Sequence, residues 1–290
     1  MNRDPQRPTP VDPMAAASFP TLSIIIVSHN ARQHLTRCLE SIYLAPPATL
    51  REIVLVDNAS TDGTVSCVRE RWPEVQVIDA GSNVGFGAAN NLGIRHSTGE
   101  LLLLLNGDTV VPAGAIDRLV VDLRAHDEVA VAGPRIVDGE GRPELSFGSM
   151  VGPLSELRQT SLARTRGLAI VERHVDRLTR TPRRVDWVSG ACLLVRRTDA
   201  EAAGLFDERY FLYFEDVDFC AAIRKLGRQV RFSPGAEIVH ARGASGRTAP
   251  EVAAQAYRRS QLAFYAKHHP AWLPLVRAFL AVTGRLPPGA

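Results

Sequence analysis

The sequence predicts an α/β protein whose doubly wound, mostly parallel sheet is flanked by helices, and three features lead there. Short β-branched runs alternate with helical stretches over roughly the first hundred residues. Residues 101–105 are five consecutive leucines, the pattern of a strand buried on both faces. Polar side chains follow several of these runs directly, at the sheet edge where open α/β sheets receive their ligands.

In chain order, residues 22–28 form the first strand, and Leu35, Leu39 and Ile42 give 32–43 a helical apolar spacing. Residues 53–57 are the second strand. Asn58-Ala59-Ser60-Thr61-Asp62-Gly63 has the chemistry of a turn and leads into a helix over about 64–71. A third strand at 75–79, a glycine-rich loop and a helix over about 88–96 precede the fourth strand at 101–105. This β-α-β-α-β-α-β order implies parallel strands joined by right-handed crossovers. A helix over 113–125 and a strand near 129–133 come next. Residues 134–184 are less regular, and 151–185 carry eight arginines against Glu156, Glu172 and Asp176. Residues 187–196 read as a strand, 214–226 as a helix capped by Gly227, and 230–232 and 236–240 as two short strands. Residues 251–282 form a basic helical tail broken by Pro270 and Pro274.

Composition narrows the function. A hydrophobic fraction of 45% with 22% charged residues is that of a globular protein able to bury a core. A net charge of +3 is too small to argue for nucleic acid, and the aromatic residues cluster around acids, not arginines. Cys38, Cys67, Cys192 and Cys220 are scattered without a C-x-x-C pair, as for reduced thiols in a cytoplasmic chain. No stretch approaches the roughly 20 apolar residues that span a bilayer. Residues 1–20 hold five prolines and no apolar h-region, so they read as a disordered leader and not a signal peptide, with Met14 a second candidate start.

Several constellations carry chemistry. Asn106-Gly107-Asp108 delivers a carboxylate to the sheet edge beside an amide oxygen, which suits a hard divalent cation gripping a diphosphate. Ser28, His29 and Asn30 end the first strand, and Asp57 ends the second, where an acid can accept from a ribose hydroxyl or a base N–H. A dinucleotide-binding dehydrogenase shares that acid but needs G-x-G-x-x-G after the first strand, and Asn30-Ala31-Arg32-Gln33-His34 contains no glycine. Residues 81–91 form a glycine-rich loop entering a helix, in which Gly85 permits close approach and Asn83, Asn90 and Asn91 offer amides. Glu215, Asp216 and Asp218 lie at a helix entry among aromatics, where desolvation raises a carboxylate's proton affinity. His240 ends an apolar strand and is a candidate metal ligand, and Arg242 and Arg247 follow it in a loop suited to closing over a diphosphate.

In this order and spacing the motifs resemble the family 2 nucleotide-sugar glycosyltransferases with a GT-A fold, over about 22–265. The resemblance implies that Ser28, Asn30 and Asp57 bind the nucleoside, with Asp57 at the base, and that Asn83, Gly85 and Asn90 line the nucleotide pocket. Asp108 would be the principal metal and diphosphate residue of a D-x-D-like motif in which Asn106 replaces the first acid. Trp187, Ser189 and Gly190 match the segment before the acceptor site. Glu215-Asp216 match a pair whose aspartate is the catalytic base, with Glu215 orienting the acceptor and Asp218 the second choice as base. His240 matches a metal-binding histidine. The expected domains are a GT-A domain over 21–250, with a nucleotide half at 21–133 and an acceptor half at 134–250, then a helical extension at 251–290.

The implied reaction is a single inverting displacement with Mn²⁺ or Mg²⁺. The motif style looks like rhamnosyltransferase-type members, which implies a dTDP-L-rhamnose donor and a saccharide or polyprenyl-diphosphate-linked saccharide acceptor in cell-envelope polysaccharide synthesis. Arg258, Arg259, Lys267, Arg277, Arg285 and the arginines of 151–185 make the inner membrane face a candidate peripheral contact. Three readings compete: a UDP-hexose donor, a nucleotidyltransferase, and a non-catalytic sugar-nucleotide-binding protein. The nucleotidyltransferase needs a glycine-rich basic loop after the first strand, which is missing. The non-catalytic protein predicts damage at Asp108, Asp216 or His240, which are all in place.

Overall fold

The computed structural model describes residues 21–152, 155–156, 169–241 and 250–289. The leader at 1–20, Arg242, Arg247 and part of the arginine-rich stretch lie outside the described residues.

The first half is the predicted alternation: β1 (Leu22–Ser28), α1 (Arg32–Leu44), β2 (Leu50–Asp57), α2 (Thr64–Arg71), β3 (Gln76–Asp79), α3 (Phe86–Arg95) and β4 (Leu101–Asn106). These four strands are mutually parallel in the order β3-β2-β1-β4. Side chains alternate across the sheet, as a pleat with period two requires. Ile24, Ile26, Leu103 and Leu105 join Leu35, Leu39 and Ile42 of α1 in one core layer. Ile25, Leu102 and Leu104 meet Ala89 and Ile94 of α3 in the other. All five leucines are fully or almost fully buried, so truncating any of them to alanine would cost about 2–5 kcal/mol.

The chain then departs from the simple pattern. After β5 (Thr109–Val110), α4 (Ala115–Arg124) and β6 (Val129–Val137) come β7 (Pro143–Glu144), β8 (Phe147–Gly148), α5 (Ala169–Leu178), β9 (Arg183–Val185) and β10 (Trp187–Val188). The expected strand 187–196 is divided: β10 pairs with β8 in a small separate sheet, and β11 (Cys192–Arg196) lies antiparallel between β4 and β6. The sheet is therefore mixed beyond β4. It continues from β6 to β12 (Gln229–His240), which is parallel to β6, follows α6 (Arg197–Ala202) and α7 (Glu215–Lys225) in the chain, and pairs antiparallel with β5 and β9.

β12 merges the two short strands expected at 230–232 and 236–240. Its register shifts between Ser233 and Glu237, where Pro234 lacks an amide donor and Gly235 has no side chain to pack.

Two helices complete the chain: α8 (Pro250–His268) and, after a 3-10 turn at Pro270–Trp272, α9 (Leu273–Val282). Phe264 of α8 joins Tyr210, Phe214, Val217 and Val151 in a third, smaller core. No described helix is long and apolar enough to cross a membrane.

Candidate active site

A cleft of about 740 Å³ opens along the carboxyl ends of β1, β2 and β4 and extends beneath the start of α7. It is lined by Ser28, His29, Asn58, Asn83 and Gly85 from the parallel half, by Asn106, Gly107, Asp108, Glu144 and His240, and by Ser189, Gly190, Phe211–Tyr213, Glu215 and Asp216 from the acceptor side.

Strand pairing produces the first group. Ser28 and Asp57 are register partners at the ends of β1 and β2. Both are buried, and Ser28 Oγ and Asp57 Oδ1 have no hydrogen-bond partner among the described residues. Buried polar atoms of this kind cost free energy unless something pairs with them; Ser28 lines the cleft and Asp57 is not among its lining residues. The other Asp57 oxygen accepts from the Ser60 N–H at 3.0 Å and holds the turn after β2.

Three expected nucleotide residues have other work. Asn30 is exposed, adopts φ 49°, and staples the two loops together. Its Oδ1 accepts from the Thr61 N–H at 2.8 Å. Asn90 is fully buried within α3, donates to the Phe86 carbonyl at 2.9 Å and does not line the cleft, though its Oδ1 has no hydrogen-bond partner among the described residues. Asn91 grips both the N–H and the carbonyl of Phe206 at 2.9 Å. The glycine-rich loop is likewise shaped by protein contacts. Gly85 has φ 87°, and a Cβ there would lie 2.9 Å from Phe211 Cα and closer still to its oxygen. The next residue, Phe86, donates its N–H to that oxygen at 2.9 Å. Asn58 braces the loop from below, accepting from Val84 N–H at 2.8 Å and donating to Asn83 Oδ1 at 2.9 Å. The loop thus joins the two halves of the cleft.

The second group forms where β12 meets the turn after β4. His240 pairs with Thr109 in register, and the Ala241 N–H donates to the Asp108 carbonyl at 2.9 Å. His240 Nε2 lies 3.1 Å from Asp108 Oδ1, its Nδ1 lies 3.9 Å from Glu144, and Asn106 Nδ2 is 3.5 Å from Nε2. Burial disfavours the imidazolium, but the bonds and charges of Asp108 and Glu144 outweigh it and raise the His240 pKa to about 9. Burial also pushes the Asp108 carboxyl up, yet His240 holds it below the ordinary carboxylate range. Glu144 carried no motif in the sequence: it reaches the site because β7 folds back along β6.

The third group sits at the start of α7. Asp216 Oδ2 accepts from the Gly190 N–H and Oδ1 from its neighbour Val217, at 2.9 and 2.8 Å. Gly190 sits close against both neighbours: a Cβ would lie 3.1 Å from the Phe86 ring, a tight contact, and 3.4 Å from Asp216 Cβ. Burial raises the pKa of both carboxyls; Glu215 is raised further by the charge of Asp216 and gets no comparable help from neighbouring amides. Glu215 Oε2 is buried without a partner among the described residues. Glu215 is thus the member of the pair whose proton affinity is raised further, and Asp216 the one whose charge is favoured by neighbouring amides.

Asp218 is not available as a base. It is buried away from the cleft, 2.7 Å from Lys267 Nζ and 2.6 Å from His268 Nε2, and serves to anchor α8. Trp187 also lies off the cleft, donating to the Ser149 carbonyl at 2.9 Å. Before α7, Tyr213 and Phe214 take φ of 69° and 67°, conformations rare for bulky residues. Helix α8 holds them there: Ser260 donates to the Leu212 carbonyl at 2.8 Å, and the Tyr257 ring packs on both aromatics.

Residues 23–179 match the family model described as glycosyl transferase family 2. The chain belongs to glycosyl transferase family 2. This transferase is 31% identical to an N-acetylglucosaminyl-diphospho-decaprenol L-rhamnosyltransferase of Mycobacterium tuberculosis, over 87% of its own length and 86% of that protein's. It is also 28% identical to a low-salt glycan biosynthesis hexosyltransferase of Haloferax volcanii, covering 70% of this chain and 62% of the relative. Among solved structures, GalNAc-T7 with UDP, GalNAc and Mn²⁺ superposes at a TM-score of 0.64 and 18% identity, over 90% of this chain and about half (52%) of the other. A mannosyltransferase from Pyrobaculum calidifontis with GDP-Man and Mn²⁺ gives 0.58 at 22% identity, over 92% and 76%. At these identities the structural matches speak for the GT-A fold.

Proposed function

We propose that this transferase moves L-rhamnose from dTDP-L-rhamnose to a polyprenyl-diphosphate-linked saccharide at the inner membrane surface, with inversion at the anomeric carbon. One observation carries the reading: the Asp108–His240 pair and the Glu215–Asp216 pair line the same cleft. The donor and acceptor chemistry rests on the name of the mycobacterial relative, which covers most of both chains.

In this reading Ser28 Oγ, on the cleft lining, and Asp57 Oδ1 of its register partner, both buried without a partner among the described residues, take the nucleoside. Asp216 removes the proton of the acceptor hydroxyl. That oxygen bonds to the anomeric carbon as the bond from that carbon to the diphosphate oxygen breaks. Glu215, protonated, donates to the acceptor and orients it. Asp108 and His240 fit a divalent cation, being a hard carboxylate and an imidazole on adjacent rigid elements. Among the described residues no third acid, histidine or cysteine completes a metal-binding group, so diphosphate oxygens and water would fill the remaining positions. Such a cation supplies positive charge where the leaving diphosphate gathers its negative charge. Mn²⁺ and Mg²⁺ are both suited to it, and Arg242 and Arg247 are placed by sequence to add further positive charge.

The test is turnover of a donor panel (dTDP-rhamnose, UDP-glucose, UDP-galactose, UDP-N-acetylglucosamine, GDP-mannose) with Mn²⁺, Mg²⁺ or EDTA. The expected result is metal-dependent consumption of dTDP-rhamnose above the others. Selection of a UDP-hexose would replace the donor assignment, and binding without turnover on any acceptor would favour a sugar-nucleotide-binding protein.

A further inference from the structure

We infer that helix α9 is a membrane-docking element, which lays an apolar stripe into an anionic lipid surface and holds the cleft there. The inference rests on the lipid-linked acceptor proposed above, and it names the surface that brings the enzyme to it.

Helix α9 has two apolar sides. Leu280 is buried and Leu273 and Val276 are half-buried, on the side turned to the rest of the protein. On the other side Leu275, Phe279 and Val282 are 61%, 60% and 88% exposed, and Trp272, in the turn just before, is 48% exposed. At 100° per residue these four fall within an arc of about 80°, which makes a continuous stripe. Scattered exposed apolar residues are ordinary, but a contiguous stripe with an aromatic at one end is the form of an interfacial helix.

Charge selects the occupant. No acidic residue follows Glu251 in the sequence, and Arg259 and Arg285 of the same segment are exposed, while Arg277, about 180° from the middle of the stripe at 100° per residue, faces away from it. A second copy of this chain would bring the same positive charges against themselves, whereas an anionic headgroup layer complements them. Lys267 is not part of this surface, because Asp207 and Asp218 hold it.

The position of the stripe suits the reaction. Helix α8, which leads through the Pro270–Trp272 turn into α9, bonds the Leu212 carbonyl through Ser260 and packs Tyr257 on Tyr213, both cleft-lining residues. A lipid surface under α9 therefore lies against the same helical unit that shapes the acceptor rim, where a diphosphate-linked lipid would present its saccharide.

The experiment is flotation of the full chain with vesicles of phosphatidylcholine alone or mixed with phosphatidylglycerol. It compares the wild type with Leu275→Ser/Phe279→Ser and with Arg259→Glu/Arg285→Glu. Far-UV circular dichroism and thermal unfolding check that each variant is folded. The wild type is expected to float with the anionic vesicles. The serine pair should lower partitioning roughly 100-fold, given two large apolar side chains withdrawn from the interface. The glutamate pair should abolish the preference for phosphatidylglycerol. Both variants should keep wild-type donor turnover on a water-soluble acceptor.

A wild type that stays at the bottom of the gradient would overturn the inference. So would a serine variant that floats as well as the wild type, or a dimer in solution that the serine variant disperses. Any of these three failures alongside intact dTDP-rhamnose turnover removes the docking helix and leaves the transferase reading standing. Flotation that follows the variants without any donor turnover does the reverse.

Discussion

Replacing Asp216 with asparagine separates the chemical role of this residue from its structural one. The carboxylate now accepts two backbone N–H groups, from Gly190 and Val217. An asparagine retains one acceptor oxygen, and its NH₂ then confronts the other amide, at a cost of about 1–3 kcal/mol for the unpaired donor. Against this, the variant no longer buries a carboxylate whose ionisation the site opposes, and the charge that raises Glu215 disappears. The two effects nearly offset, so thermal stability should change by about 1 kcal/mol or less. The loss of a positioned base is not offset. General-base catalysis contributes roughly 10²–10⁴-fold, or about 3–5 kcal/mol of barrier. The assay is kcat and donor KM with dTDP-rhamnose, beside a thermal melt and nucleoside-diphosphate binding. The expected outcome is a kcat reduced about 1000-fold with donor binding and melting temperature close to wild type. Retained kcat would refute the base assignment. Lost donor binding would refute the claim that Asp216 acts only at the acceptor.

Two further outcomes follow from other parts of the cleft. Gly85→Ala forces a side chain onto the Phe211 backbone from a φ of 87°, so it should destabilise the fold by roughly 3 kcal/mol. A melt lowered by about 5–10 °C, with impaired turnover, is the expected result, and an unchanged melt would show that the loop does not join the halves as described. The Asp108–His240 pair predicts a pH dependence in metal-free protein. Because the folded-state pKa of His240 is raised to about 9 from 6.5, the stability it adds is fully present below about pH 6.5 and is lost as pH rises through 9. The difference is about 3 kcal/mol. Urea unfolding at both ends of that range should show it in the wild type and lose most of it in Asp108→Asn.

Much of the fold was legible in the sequence because its signals are local. Five leucines in a row have no amphipathic alternative to a doubly buried strand, and alternating runs allow few topologies beyond a parallel sheet. The ends of β1, β2 and β4, with Ser28, Asp57 and Asp108, were readable for the same reason: a strand that stops delivers its next side chain to the sheet edge. Residues 187–196 were harder. Their apolar content is that of one strand, but the chain breaks at Ser189–Ala191 so that β10 can pair with β8 and β11 with β4. That decision depends on partners distant in sequence.

The sequence alone was enough to put Asp108, the Glu215-Asp216 pair and His240 at the cleft, since each follows a strand end or opens a helix with its own local pattern. Tertiary structure decided which of the polar residues face the cleft. Asn30 and Asp218 carry the same side-chain chemistry as the polar residues that line the cleft, yet Thr61 and the Lys267–His268 pair occupy them, and Asn90 spends its amide N–H on the Phe86 carbonyl. Glu144 entered the site without any motif because β7 folds back beside β6. A hydrogen-bonding group can be spent on protein or kept for a ligand, and only the positions of residues tens to hundreds apart in the chain determine which.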